Sequence, residues 1–180
     1  IQIGWAQIEM KDMAFNQTMS FPSELSLRTT PDGIRLVGRP VKELEALHRG
    51  VQAGPLGRLA DAATPALQAS SGQCRIRAEF APAGAAAFGL TVGPDRFMYQ
   101  VAENRLGDIP LPLSDGKIRF DVLVDRSLVE VFANDGRAVL TQPFAGHGAA
   151  VSVSAFSEGG AVEITRFEVT ELAGTWPVPT

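Results

Sequence analysis

Asp121, Asp125, Glu130 and Asp135 crowd into one short stretch of this chain. Closely set carboxylates are the raw material of acid–base and nucleophilic hydrolysis, in which two acids face each other across the bond to be broken. The pattern around them points elsewhere. Ile118, Phe120, Val122 and Val124 alternate with Arg119, Asp121 and Leu123, the period of a half-buried strand, and Glu130 stands between Val129 and Val131. Asp121 and Glu130 are therefore expected on outward, solvated positions. Asp125 lies at a corner or bulge beside Arg126 and Ser127, where aspartate commonly bonds nearby backbone N–H groups. Asp135 belongs to Asn134-Asp135-Gly136, which supplies the positive-φ residues of a tight hairpin. These acids are expected to hold corners and turns, and no catalytic residue is assigned among them.

Other chemistries find less support. A nucleophilic triad needs Ser or Cys, His and an acid converging, and the two histidines, His48 and His147, lie near no nucleophile elbow. His48 is expected at the last turn of a short helix, where a partly protonated imidazole suits the negative dipole end. His147 falls in a glycine-flanked loop. With Cys74 as the single cysteine there is no metal-ligand spacing and no internal disulfide, so neither a metal nor a cofactor is expected. The aromatic candidates for packing on a sugar ring are Trp5, Phe97, Tyr99 and Trp176. Trp5, after Gly4 at a strand end, suits a cleft wall or a core equally well. Trp176 stands in a proline-rich tail and is expected to pin the C-terminus.

The elements that must position these residues are short strands. Ile1, Ile3 and Trp5 alternate, Met19, Phe21, Leu25 and Leu27 form a further stretch, and Pro31-Asp32-Gly33 turns back into Ile34 and Leu36, a hairpin over roughly 24–38. At Pro40 the period changes: Val41, Leu44, Leu47 and His48 share one helical face, with Pro40 at the first helical position and Gly50 as the stop. Residues 50–71 read as a connecting segment with Leu56, Leu59 and Leu67 as docking points. From Gln73 onward strands follow regularly. Cys74, Ile76, Ala78 and Phe80 alternate with Arg75, Arg77 and Glu79. In the last strand Val162 and Ile164 give way to Phe167 and Val169, a parity slip that predicts a bulge. About seven short strands separated by turns predict an all-β, two-sheet antiparallel sandwich, with a barrel as the alternative.

Composition sets the outer bounds. The 180 residues are 45% hydrophobic and 20% charged with a net charge of −4, which suits a globular chain with a sizeable core. Basic residues are scattered singly, so no nucleic-acid partner is expected. No apolar run is long enough for a membrane span, and no membrane partner is expected. The chain opens on Ile1 inside a strand-like run, as a piece of a longer protein does.

The stretch Val124-Asp-Arg-Ser-Leu-Val-Glu-Val-Phe-Ala-Asn-Asp-Gly136 resembles the hallmark of the C-terminal β-sandwich in glycoside hydrolase family 32, the invertases, levanases and exo-inulinases. Phe15–Leu27, Asp32–Leu36 and Pro40–Leu44 are similar to the segment joining the last propeller blade to that sandwich, and Ile1–Trp5 resembles an innermost blade strand. The resemblance implies a remnant of the last blade over 1–39, a helix and linker over 40–71 and the sandwich over 72–180. It implies a fructan- or sucrose-hydrolysing parent that forms a fructosyl-enzyme intermediate. The family's Asn-Asp-Pro, Arg-Asp-Pro and Glu-Cys motifs are absent from this chain, so the resemblance transfers no catalytic residue. It makes Trp5 the one candidate substrate-binding residue. Carbohydrate is the expected partner through the parent enzyme, and residues 1–39, left with bare apolar faces, are expected to dock on the sandwich or to self-associate. The compartment stays open: extracellular or periplasmic for a levanase type, cytoplasmic for an invertase type. An independent fructan-binding module is the alternative function.

Overall fold

A computed structural model describes residues 1–9, 16–30, 33–146 and 150–175. His147, Trp176, Phe15, Pro31 and Asp32 lie outside them. The N-terminal part holds a short pair, β1 (Trp5–Ala6) and β2 (Thr18–Met19), then a long hairpin, β3 (Ser23–Thr30) and β4 (Gly33–Pro40). A 3-10 helix spans Lys42–Leu47. It leads into β5 (His48–Ala53), β6 (Gly57–Ala60) and β7 (Leu67–Ala69). Next come β8 (Gln73–Ala83), β9 (Ala87–Val92), β10 (Asp95–Gln100), β11 (Arg105–Leu106) and β12 (Ile109–Pro110). The chain closes with β13 (Ile118–Asp125), β14 (Leu128–Ala133), β15 (Ala138–Pro143), β16 (Val151–Glu158) and β17 (Ala161–Leu172).

These strands form the expected sandwich. One sheet runs β12-β11-β10-β9-β16-β7 and the other β15-β14-β13-β8-β17-β5, with β6 sharing the free edge of β17. Alternation explains the interior: Cys74, Ile76, Ala78 and Phe80 of β8 meet Phe88, Leu90 and Val92 of β9, all buried in one apolar cluster. Phe80 bridges the layers, its ring 5.4 Å from Phe88 and edge-on to Phe120 at 5.8 Å. Contacts of this kind contribute about 0.5–1.5 kcal/mol each beyond buried area.

Several local expectations hold in detail. The slip in β17 is a bulge, with the register shifting between Ile164 and Arg166 so that Thr165 is the extra residue. The turn at Asn134-Asp135-Gly136 has φ of 46°, 60° and 84°. Asn134 is buried because its side chain completes the turn, accepting from the Arg119 N–H and donating to the Pro112 carbonyl, both at 2.9 Å.

Others need correction. Asp125 and Leu128 pair directly, so Arg126 and Ser127 make a two-residue hairpin and not a corner or bulge; Arg126 adopts φ 43°. The segment after Pro40 is a single 3-10 stretch, too short for a helical stripe, although Val41 and Leu44 do bury against Leu123, Phe132 and Leu172 on the outer face of the seven-stranded sheet. Residues 50–71 are not merely connecting. They supply edge strands to both sheets, with Leu59 and Leu67 packed on the core and Leu56 exposed. Their weak periodicity reflects pairing along one edge only.

The N-terminal hairpin joins the sandwich at the turn after β14. The Gly38 N–H donates to the Gly136 carbonyl at 3.2 Å, and Arg39 both bonds the Asp135 carbonyl and pairs with its carboxylate at 3.0 Å. A Cβ on Gly136 would stand 1.9 Å from the Gly38 carbonyl oxygen, at a φ that also disfavours any side chain. Gly136→Ala should therefore lower stability by about 1–3 kcal/mol. Denaturant unfolding checks this, and amide exchange should quicken first at Gly38 and Arg39.

Candidate functional site

Where β1, β2 and the sandwich meet, a cleft of about 210 Å³ opens, lined by Gln2, Trp5, Ser20, Ser23, Glu130 and Thr141 among others. Trp5 pairs with Met19 across the two short strands, and its side chain stays 64% exposed on the wall. Beneath it the backbone is tied down locally: the Gly4 N–H donates to Ser20 Oγ at 2.7 Å, and Ser20 N–H returns to the Gly4 carbonyl at 2.8 Å. An exposed indole beside hydroxyl and amide groups offers one flat apolar surface with polar groups at its rim.

Glu130 stands at the base, and it is the largest departure from the sequence reading. It is buried, not solvated. One carboxylate oxygen accepts the Phe21 backbone N–H at 2.5 Å and the other accepts the Thr141 hydroxyl at 2.7 Å. The alternation places Glu130 on the outer face correctly, but that face is covered here by the chain between β2 and β3. Burial raises its pKa above the ordinary value, opposed by the Thr141 and Phe21 hydrogen bonds. The carboxylate thus clamps the N-terminal strands onto β14.

The remaining acids are dispersed among different partners. Asp121 accepts both Nε and Nη2 of Arg75, at 2.8 and 2.6 Å. Asp125 accepts from Gln73 Nε2 at 2.6 Å, so its partner is a side chain on the neighbouring strand and not a nearby backbone N–H. Asp135 pairs with Arg39. Phe97 and Tyr99 are core residues and present no sugar-facing surface. Tyr99 stacks 5.3 Å from Phe88, and its hydroxyl donates to Asn104 Oδ1 at 3.1 Å.

His48 ends the 3-10 segment as expected, but it caps through its backbone N–H, which donates to the Glu45 carbonyl. It opens β5, and burial together with the nearby Arg75 and Arg77 charges lowers its pKa, disfavouring the protonated ring that the sequence reading supposed. Burial, reinforced by Glu171, pushes the Cys74 thiol up to about 12, leaving it unreactive at neutral pH. Among the described residues no group of three His, Cys, Asp or Glu side chains is placed to hold a metal ion.

Two antiparallel sheets packed face to face around one apolar core make this an all-β sandwich protein. Residues 43–171 match the model described as "Glycosyl hydrolases family 32 C terminal", and the chain belongs to that family. A levanase of Bacillus sp. (strain L7) is 31% identical over 88% of this chain, and the levanase of Bacillus subtilis (strain 168) is 28% identical over 87%. The chain spans only 20% and 27% of those two relatives. Among solved structures, exo-inulinase from Aspergillus awamori superposes with a TM-score of 0.78 at 20% identity, covering 97% of this chain and 40% of that one. A family 32 glycoside hydrolase from Bifidobacterium adolescentis gives a TM-score of 0.66, covering 97% of this chain and 30% of the other. At such identities the superpositions speak for the fold.

Glu130 can be tested directly. Glu130→Ala strands the Phe21 N–H and empties the base of the cleft, so stability should fall by about 1–3 kcal/mol, read by urea unfolding. Glu130→Gln keeps an acceptor for Phe21 and a donor for Thr141 and should be close to neutral. The wild type and Glu130→Gln should nonetheless differ in pH dependence. Because the native state raises the Glu130 pKa, it binds that proton more tightly than the unfolded chain. This contribution to stability therefore grows as pH falls through the folded-state pKa toward the ordinary value of 4.5, and Glu130→Gln should lose that slope.

Proposed function

We propose that this chain is the non-catalytic C-terminal part of a fructan-hydrolysing β-fructosidase, in which it supports the catalytic portion. The observation that carries this reading is the mismatch between its two ends. Residues 43–171 close a complete two-sheet core, while the preceding strands are tethered at their root and left bare beyond it. Leu27, Ile34 and Leu36 of the β3–β4 hairpin are 72%, 67% and 60% exposed. Ile1, Ile3, Trp5 and Met19 are exposed as well. Contiguous apolar residues on a polar-rimmed surface favour a partner over water. Levanases several times longer than this chain supply the class of parent, by similarity.

In that parent Trp5 would form part of the wall facing the substrate, with Gln2 and Ser20 beside it. Among the described residues the chain by itself offers one exposed aromatic residue there, since Phe97 and Tyr99 are buried. A free-standing sugar-binding module normally needs a broader aromatic platform than one ring, which favours the supporting role.

Purified chain mixed with levan, inulin or sucrose should release no fructose above the buffer blank in a reducing-sugar assay. Release that scales with protein concentration would overturn the reading. We also propose that the bare N-terminal strands drive self-association of the isolated chain. Light scattering should give a mass above that of the monomer, and a Leu27→Ser/Ile34→Ser/Leu36→Ser variant should return it to the monomer. A monomeric wild-type chain would refute self-association and leave the supporting role standing.

A further inference from the structure

The outer face of the seven-stranded sheet carries a second cleft, of about 270 Å³, remote in character from the Trp5 wall. Strand register builds it. Arg77 of β8 lies between Asp121 of β13 and Glu168 of β17, and Glu79 lies between Arg119 and Arg166. Arg39 comes from β4 to the rim, so five guanidiniums and three carboxylates, Glu79, Asp121 and Asp135, line the cleft. The excess of two positive charges is local, because Glu45 pairs with Arg77 and Glu168 with Arg166 from outside the lining. Long-range attraction is therefore small, and whatever binds must do so through short contacts.

Those contacts are left open at two atoms. The Arg75 side chain is only 7% exposed. Its Nε and Nη2 are spent on Asp121, while Nη1 is buried with no hydrogen-bond partner among the described residues. Arg166 gives Nη2 to Glu168 at 2.8 Å, and its Nε is likewise buried without a partner. A buried charged donor left unpaired has lost its water without gaining an acceptor in return. An acceptor brought in from outside would remove that penalty, and guanidinium N–H groups select oxygen anions above other acceptors. The ordinary role of such residues, a fully paired surface ladder, would leave no such donors.

We propose that this cleft is a binding site for a small oxyanion, a phosphate or a carboxylate, with Arg75 Nη1 as the anchoring donor. The proposal is independent of the fructan reading, and each stands if the other falls. Titration of the 180-residue chain with inorganic phosphate, and separately with citrate, at constant ionic strength would test it by amide and arginine side-chain NMR. Saturable shifts centred on Arg75, Arg77 and Arg166 are expected; saturation by phosphate alone or citrate alone identifies which oxyanion the site takes. Arg75→Lys keeps the charge but loses the planar Nη1 donor and should weaken binding about tenfold, or 1.4 kcal/mol, whereas Arg96→Gln, on β10 of the other sheet and outside the cleft, should change it less than about twofold. If Arg75→Lys does not fold by circular dichroism, Arg166→Gln at the more exposed of the two donors should still weaken binding about fivefold. Shifts that stay linear and are matched by chloride would overturn the proposal, as would wild-type affinity in the folded Arg75→Lys or Arg166→Gln chain.

Discussion

A sheet has two faces, and a two-sheet sandwich uses only the inner face of each. The outer face of the seven-stranded sheet is therefore the surface on which everything else in this protein is decided. Three different coverings share it. The 3-10 segment lays Val41 and Leu44 over Leu123, Phe132 and Leu172. The chain between β2 and β3 is held over β14 by Glu130. What remains is filled by the arginine–carboxylate ladder of β8, β13 and β17. The buried Glu130 carboxylate matters most among these. Losing it would free the Phe21 N–H and, with it, the strand pair that carries Trp5.

Much of this organisation could be read before any coordinates. Periodicity placed Cys74, Ile76, Ala78 and Phe80 inside and found a slip between Ile164 and Phe167, and turn chemistry located the hairpin at Asn134-Asp135-Gly136. These features are legible because they depend on neighbours a few residues away, where alternation and turn chemistry act. The resemblance of Val124–Gly136 to family 32 is likewise carried by a contiguous segment.

Features that failed to show in the sequence depend on distant contacts. Glu130 alternates like any outward residue, and only the Phe21 segment, over a hundred residues earlier, makes it buried. One clue was present, since every residue of β14 except Glu130 is apolar, the pattern of a strand covered on both faces. Phe97 and Tyr99 are aromatic candidates in the sequence, but both face the interior between the sheets and are buried in the core there. The basic residues look scattered along the chain, yet five arginines converge because antiparallel register brings residues 39, 75, 77, 119 and 166 to one cleft. His48 follows the same rule: Arg75 and Arg77 of β8 reach it from far along the chain and, with burial, outweigh Glu45 of its own short helix and Asp121 of β13.

The bulge at Thr165 has a reach beyond its own hydrogen bonds. Before it, Val162 and Ile164 face inward; after it, Phe167 and Val169 do. The extra residue acts as a phase shifter in a twelve-residue strand, and the identity of the arginine face hangs on it. Without that shift Arg166 and Glu168 would belong to the dry interior and Phe167 and Val169 to solvent. One unpaired residue thus decides which half of an unbroken strand is written in which reading of inside and outside, and two differently partnered edges, β5 and β6, can share the same strand because of it.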